Sequence, residues 1–347
     1  MMLTEPLVSI IIPCRNERRF IGQCLASIIS STYPKGSLEV LVIDGMSVDG
    51  TRQVVQKFER EVPFIRMIDN KKTTTPCALN IGVGNAAGEI IIRMDAHTEY
   101  DPQYISKCVE WLSKSGADNV GGIWITTPSK DTLWGKCISL ALSHPFGVGN
   151  SYFRVGSKQP KYVDTVPFGC YKREVFSRIG LFKEELLRSQ DIEFNVRLRR
   201  AGGEILLVPD IKCRYFADSN LKDLAVKSFR NGFWVIYSAG LADMPFSPRH
   251  LVPFVFICSL VAGTAGSLFY SPSTFSLALI AGAYVSANAI FSLMIAAREK
   301  RPLYFPFIFL SFLALHFSYG LGSASGLAAL AKESARRFFR RFQASTE

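Results

Sequence analysis

The stretch IIIRMDAHTEY, residues 90–100, carries an apolar run of strand-forming residues straight into a polar loop that holds Asp95 and His97, one position apart. A short continuous apolar run bounded by polar residues reads as a buried strand. The same pattern stands upstream, in VSIIIP (8–13) and LEVLVID (38–44). After the first run, Phe20, Ile21, Cys24, Leu25, Ile28 and Ile29 fall at helical spacing within residues 16–30. After the second, SVDGTRQVVQKFERE reads as a helix capped near Ser47 or Asp49. A short strand at 63–68 and a helix at 76–87 then lead to a strand at 89–95. Strands alternating with helices imply a mostly parallel sheet covered on both faces, an α/β fold. Ligands of such sheets collect beyond the carboxyl ends of the strands. The polar residues there are Arg15, Asn16 and Glu17, then Asp44 and Asp49, then Asp95 and His97. Acidic groups at three strand ends suit a ligand that carries a cation or many hydroxyls.

The chain has 347 residues, and its apolar residues are unevenly spread. No formal charge falls between Leu251 and Ala297, nor between Pro302 and Ala331. A bilayer-spanning helix needs about 20 mostly apolar residues. The first run therefore predicts two spans, about 250–270 and 274–297, with a turn near Ser271-Pro272-Ser273. The second, 302–331, contains Pro302, Pro306 and GLGSASG, and is expected to bend back as a re-entrant or in-plane pair rather than cross fully. The opening MMLTEPLVSIII lacks a basic leader, so the residues before the spans are expected to face the cytosol. Net charge is +11, with basic residues crowding the membrane flanks: Arg298, Lys300 and Arg301, then Lys332, Arg336, Arg337, Arg340 and Arg341. Phe338, Phe339 and Phe342 interleave with the last group. This placement points to anionic membrane lipid and away from nucleic acid. Eight cysteines without paired spacing suggest neither zinc nor a disulfide framework.

In the second half, NVGGIWIT (119–126) reads as a strand, 131–143 as an amphipathic stretch, and 145–169 as a Gly-rich aromatic loop region. SQDIEFNVRLRRAGGEILLVP (189–209) reads as a helix ending at Gly202-Gly203, then a strand from Glu204 to Val208. Residues 221–243 mix Lys227 and Arg230 with Phe229, Phe233, Trp234 and Tyr237, the composition of an interfacial helix. The expected organisation is a cytosolic domain at 1–220, an interfacial segment at 221–248, a membrane region at 249–331 and a basic cytosolic tail at 332–347.

Two ligands separated by one residue at a strand end can grip a divalent cation that also bridges a diphosphate. A His in the second place favours Mn²⁺ while leaving Mg²⁺ open. Alone, an Asp-x-His triplet reads more readily as a loop cap beside a surface histidine than as a metal site. Its company is more specific. VSIIIPCRNE, VLVIDGMSVDGT, ALNIGVGNAAGEIIIRMDAH and SQDIEFNVRLRRAGG stand in an order and spacing that resemble the family 2 glycosyltransferases of GT-A fold, over about residues 7–210. DAHTEYDPQYI, GADNVGG, RNGFW and HFSYGLGSASGL are similar to the membrane-anchored transferases of bacterial exopolysaccharide assembly, of the succinoglycan glucosyltransferase type.

The resemblance implies that Pro13, Arg15 and Glu17 line a nucleotide pocket and that Asp44 accepts a hydrogen bond from uracil. Asp95 and His97 match the metal motif Asp-x-Asp, with His where Asp is commoner. Lys72 reads as a contact to diphosphate or as an exposed lysine. Asp191 matches the catalytic base, although Gln190 stands where the family has Glu; without the resemblance it reads as an Asp stabilised at a helix N-terminus. Glu193 is the reserve. Phe168, Gly169 and Cys170 match the acceptor-side segment, Cys170 reading better as a small packed residue. Arg230 and Trp234 match loosely an Arg-Trp motif for diphosphate and acceptor sugar, and their separation argues against a processive polymerase.

The implied activity is inverting transfer of one sugar from a UDP-sugar, UDP-glucose above others, to a polyisoprenyl-diphosphate-linked saccharide at the inner membrane, with a divalent cation. A polyprenyl-phosphate glycosyltransferase is the near alternative. A non-catalytic, membrane-tethered nucleotide-sugar binding protein is the alternative of another class, disfavoured by Asp191. A nucleotidyltransferase needs a Gly-rich phosphate loop after its first strand, and PCRNERRFIG is not one.

Overall fold

Along the first strand Val8, Ile10 and Ile12 are buried on one face and Ile11 on the other, so the strand feeds two cores at once. This two-sided burial is what a continuous apolar run dictates when helices cover both faces of a sheet. The computed structural model describes residues 5–242 and 248–344. In chain order the elements are β1 (Val8–Cys14), α1 (Ile21–Ile29), β2 (Leu38–Asp44), α2 (Thr51–Glu61), β3 (Ile65–Asp69), α3 (Thr75–Asn85), β4 (Ile90–Arg93), β5 (Thr98–Tyr100), α4 (Tyr104–Ser115) and β6 (Asn119–Pro128). There follow α5 (Leu133–Leu142), α6 (Pro145–Val148), α7 (Tyr152–Val155), β7 (Lys161–Tyr162), β8 (Cys170–Lys172), α8 (Glu174–Ile179), α9 (Gln190–Arg200) and β9 (Ile205–Ala217). Four helices complete the described chain: α10 (Leu221–Ala242), α11 (Pro248–Ser267), α12 (Ser271–Arg298) and α13 (Tyr304–Ala344).

The chain forms two units. The first comprises residues 1–125 and 152–216, the second 126–151 and 217–347. The expected 1–220 domain thus differs from the observed grouping, because 126–151 leaves it for the helical unit.

In the first unit, β3-β2-β1-β4 pair in parallel, as the alternating pattern requires. From β8 the strand direction changes: β4 with β8 and β6 with β8 are antiparallel, as are β5 and β7 with β9. Sequence periodicity identifies strands but not their direction, so this half was not legible. Helices α1 and α4 cover one face through Ile21, Leu25, Ile28, Ile105 and Leu112. Helices α3, α8 and α9 cover the other through Leu79, Phe176, Phe194 and Leu198. Register sets the strand tips side by side: Asp44 ends β2 opposite Cys14, and Arg93 ends β4 opposite Ile11.

In the second unit three stretches are long and apolar enough to cross a membrane: Arg249–Ser267, Ser271–Arg298 and Tyr304–Ser334. The bend expected within 302–331 is absent, since α13 is one helix. The prolines lie at or before its first turn, where a missing N–H costs nothing. GLGSASG is instead a packing seam. A Cβ on Gly322 would lie 2.0 Å from the Phe229 carbonyl oxygen, and one on Gly326 2.5 Å from that of Phe233, so α13 and α10 touch backbone to backbone. Of the predicted basic tail, the side chains of Arg337, Phe338, Phe339, Arg340, Arg341 and Phe342 lie outside the described residues. The cysteines of the described chain are free, and only Cys258 is exposed.

Candidate active site

The loops after β1 and β2 are tied together before any ligand is considered. Ser47 Oγ accepts from the Asn16 backbone N–H at 2.8 Å, and Asn16 Oδ1 from that of Val48 at 3.0 Å. The Asp49 carboxylate accepts from the N–H groups of Thr51 and Arg18, bracing both loops, and the Thr51 hydroxyl holds its pKa down. Arg15 is exposed, with its stem over Gly45, and Pro13 is half-buried at the end of β1. Asn16, Met46, Phe168 and Ser189 are four of six described non-glycine residues with left-handed φ, between 52° and 61°. Such backbone costs about 1–3 kcal/mol per residue and concentrates at functional sites.

Asp44 is fully buried. Its Oδ2 accepts from the Ser47 N–H at 3.1 Å and from Arg52 Nη1 at 2.6 Å, while Oδ1 has no partner among the described residues. A buried acceptor left unmatched costs about 1–3 kcal/mol, and a ring N–H of a nucleobase would match it.

Beyond β4 a network of charges links the remaining candidates. The Arg93 guanidinium, 10% exposed, bonds Asp95 Oδ1 at 2.7 Å and Asp191 Oδ2 at 3.1 Å. It lies 5.3 Å over the ring of Phe168, and its backbone N–H donates to the Gly169 carbonyl. Gly169 admits no side chain, because a Cβ would lie 2.5 Å from Asn119 Oδ1 and the Tyr171 ring. Phe168 is held in turn by Trp124 at 5.3 Å, which stacks on Tyr215 at 4.2 Å. The backbone of Asp95 is fixed by the Tyr100 hydroxyl, which accepts from its N–H at 2.8 Å. Its Oδ2 lies 3.9 Å from His97 Nε2, and His97 Nδ1 lies 3.2 Å from Glu17 Oε1. Burial works against a charged His97, but the bond to Glu17 and the Asp95 charge outweigh it and hold the pKa up at about 9. Burial raises the pKa of Asp191; Arg93 pulls it back and Asp95 adds to the rise. Asp191 Oδ1 is buried without a partner. The chain of contacts runs from Asp44 through Ser47, Asn16 and Glu17 to His97, Asp95, Arg93 and Asp191.

Among the described residues no three His, Cys, Asp or Glu side chains gather as a metal cluster. Asp95 Oδ2 and His97 Nε2, 3.9 Å apart, are close enough to share a cation, which His97 can bind only after Nε2 gives up its proton. Two ligand atoms on one ion with bonds of about 2.1 Å lie at most about 4.2 Å apart. Glu17 stands behind Nδ1, the position from which a carboxylate orients a ligating imidazole.

Other candidates are placed elsewhere. The ammonium of Lys72 bonds Glu184 at 2.7 Å, a partner 112 residues away that sequence reading could not supply. Lys72, with Cys77 and Asn80, holds the Glu184 pKa down to about 2. Glu193, the reserve base, is 1% exposed and bound by Arg197 at 2.7 Å and Lys183 at 3.3 Å, a structural ion pair. Arg230 is exposed and Trp234 half-buried on α10 in the second unit, Trp234 against Phe233 and Tyr237. Arg93 was missed. An arginine closing the run IIIR was a signal, since a charge in a buried strand needs a partner.

The profile of the family described as glycosyl transferase family 2 matches residues 9–180, which hold the strand tips described above. Residues 9–180 form a glycosyl transferase family 2 domain. Similarity extends past this transferase domain. The chain is 26% identical over 330 residues to a dolichyl N-acetyl-alpha-D-glucosaminyl phosphate 3-beta-D-2,3-diacetamido-2,3-dideoxy-beta-D-glucuronosyltransferase of Methanococcus voltae, covering 92% of this chain and 97% of that protein. It is 28% identical over 240 residues to the succinoglycan biosynthesis protein ExoA of Rhizobium meliloti, covering 69% of each. In fold it is similar to a mannosyltransferase of Pyrobaculum calidifontis, solved with GDP-Man and Mn²⁺, at TM-score 0.64 and 18% identity over 93% of this chain and 88% of that one. The transferase domain therefore has the GT-A fold, joined to helices long and apolar enough to span a membrane.

Proposed function

We propose that the enzyme transfers one sugar, with inversion, from a UDP-sugar to a lipid-linked saccharide. The observation that carries this reading is the pair of carboxylates, Asp95 and Asp191, held on one guanidinium at the carboxyl ends of the parallel strands. Asp44 Oδ1 accepts from the uracil ring, while Pro13, Arg15 and Glu17 line the nucleotide pocket. Asp95 and His97 would hold a divalent cation, Mn²⁺ or Mg²⁺, which would supply positive charge beside the diphosphate. Asp191 takes the proton of the acceptor hydroxyl as its oxygen attacks the anomeric carbon. Phe168 and Gly169 shape the acceptor side. Lys72, engaged with Glu184, is not assigned to the diphosphate.

A polyisoprenyl-linked acceptor is supported by the methanogen relative, whose name specifies a dolichyl phosphate-linked sugar. The membrane helices act in the same sense, confining enzyme and lipid to one surface. The proposed location is the inner membrane with the transferase domain in the cytosol. Arg298, Lys300 and Arg301 between α12 and α13 then lie inside, as positive flanks require. The second half of α13 packs on α10, which exposes Lys222 and Arg230. These charges support a position of the α10–α13 pair at the surface of anionic lipid.

The test is transfer of label from a panel of UDP-sugars, UDP-glucose included, into the lipid fraction of isolated membranes, with and without chelator. Asp191→Asn is expected to lose about 10²–10⁴-fold. Full activity of that variant, or label entering lipid at an undiminished rate without divalent cation, rejects the corresponding role.

A further inference from the structure

Asp95 and Asp191 serve opposite sides of the sugar in the proposed reaction, yet one side chain holds both. The two terminal nitrogens of Arg93 are divided between them, Nη2 to Asp95 and Nη1 to Asp191. Neither contact is a mobile surface pair, since the guanidinium is 10% exposed and rests on the Phe168 ring. Among the described residues Nε has no partner, so the fork's hydrogen bonds all go to these two acids. Its anchorage is rigid: the Arg93 N–H is bonded to Gly169, and Phe168 precedes it with φ at 52°. A planar guanidinium fixes two acceptors in one geometry, whereas an ammonium is a point charge.

We propose that Arg93 is a positioning residue, which sets the Asp191 carboxylate at a fixed place relative to the donor-binding Asp95. Through that fork, the group that receives the acceptor's proton is held in register with the group that holds the donor's diphosphate end. Removal of the fork leaves donor binding in place but lets the base swing out of line. The inference deepens the glycosyl-transfer reading and rests on it.

Arg93→Lys is the deciding variant, because it retains the buried charge and loses only the fork. The expected result in the full-length, membrane-embedded enzyme is UDP binding and donor KM within about threefold of wild type. Turnover is expected to fall about 100-fold, the cost of misplacing a reacting group by about an ångström. Arg93→Gly with millimolar guanidinium added is expected to recover turnover, and with the same concentration of ammonium it is not. A Lys variant that keeps half or more of wild-type turnover overturns the proposal. So does a loss of turnover matched by an equal loss of UDP-binding sites, which marks a folding role alone. Asp191→Asn run alongside separates the failures. An inactive Asn variant beside a fully active Arg93→Lys removes the positioning role only, and a fully active Asn variant removes the base assignment itself.

Discussion

Asp191 is a carboxylate whose surroundings raise its pKa, chiefly through burial. A base must be ionised to work, so a raised pKa moves the acid limb of the rate profile upward. Turnover is expected to fall, as pH is lowered, above the ordinary carboxylate range near pH 4. The limb should move higher still in Arg93→Gln, because Arg93 opposes the rise. A kcat profile in the membrane-bound enzyme checks both, and a limb that stays put in Arg93→Gln contradicts the pairing. Asp44→Ala is expected to weaken UDP binding about tenfold, or about 1.4 kcal/mol, with turnover at saturating donor little changed, since this contact is made equally before and during reaction. Calorimetry with UDP measures it. Asp44, Asp95 and His97 were legible because an apolar strand that ends in an acid announces its own tip. Arg93 and the Lys72 partner were not, because what decides them is the residue met across the fold, and a single chain does not print that.

Helix α3 lies directly on β1. A Cβ on Gly82 would come within 2.3 Å of Ile11 Cγ2, in the core that backs the strand tips. Gly82→Ala is expected to destabilise by about 1–3 kcal/mol through overpacking, read as a lower melting temperature of the purified enzyme; an unchanged one shows that α3 shifts freely. The glycines of α13 make the same point for helices. Composition predicted a break at GLGSASG, but a glycine serves equally where another backbone approaches, and only the partner α10 distinguishes the two. Gly322→Leu is expected to separate these helices and to increase cleavage between them by added protease, with Gly84→Leu, where a Cβ meets nothing within 4 Å, as the comparison on α3.

The helical unit claims residues 126–151 from the middle of the sequence. Cys137, Ala141, Ile308 and Phe312 are fully buried together, and Phe146 packs on Phe291, Phe312 and His316. A fragment ending at residue 220 therefore exposes α5 and is expected to be insoluble without detergent, whereas replacing 126–151 by a short polar linker restores solubility. Sedimentation of the two fragments decides this. A cysteine placed at the exposed Ser334 is expected to react with reagents that reach the cytosolic face, as the proposed surface position of the α10–α13 pair requires. Labelling only from the far side contradicts that topology. The parallel half of the sheet and the length of the apolar runs were readable, since both are local patterns. The unit boundary was not, because it depends on contacts between distant parts of the chain.

That interleaving sets a schedule for synthesis. The Cys137 thiol meets the Tyr304 carbonyl across 167 residues, and His316 meets the Phe146 carbonyl across 170. At about 5–20 residues per second, the ribosome needs about 8–34 seconds to deliver those partners. Throughout that interval a greasy segment waits beside a half-made catalytic sheet, and slowing translation between residues 150 and 304 lengthens its exposure to chaperones and proteases.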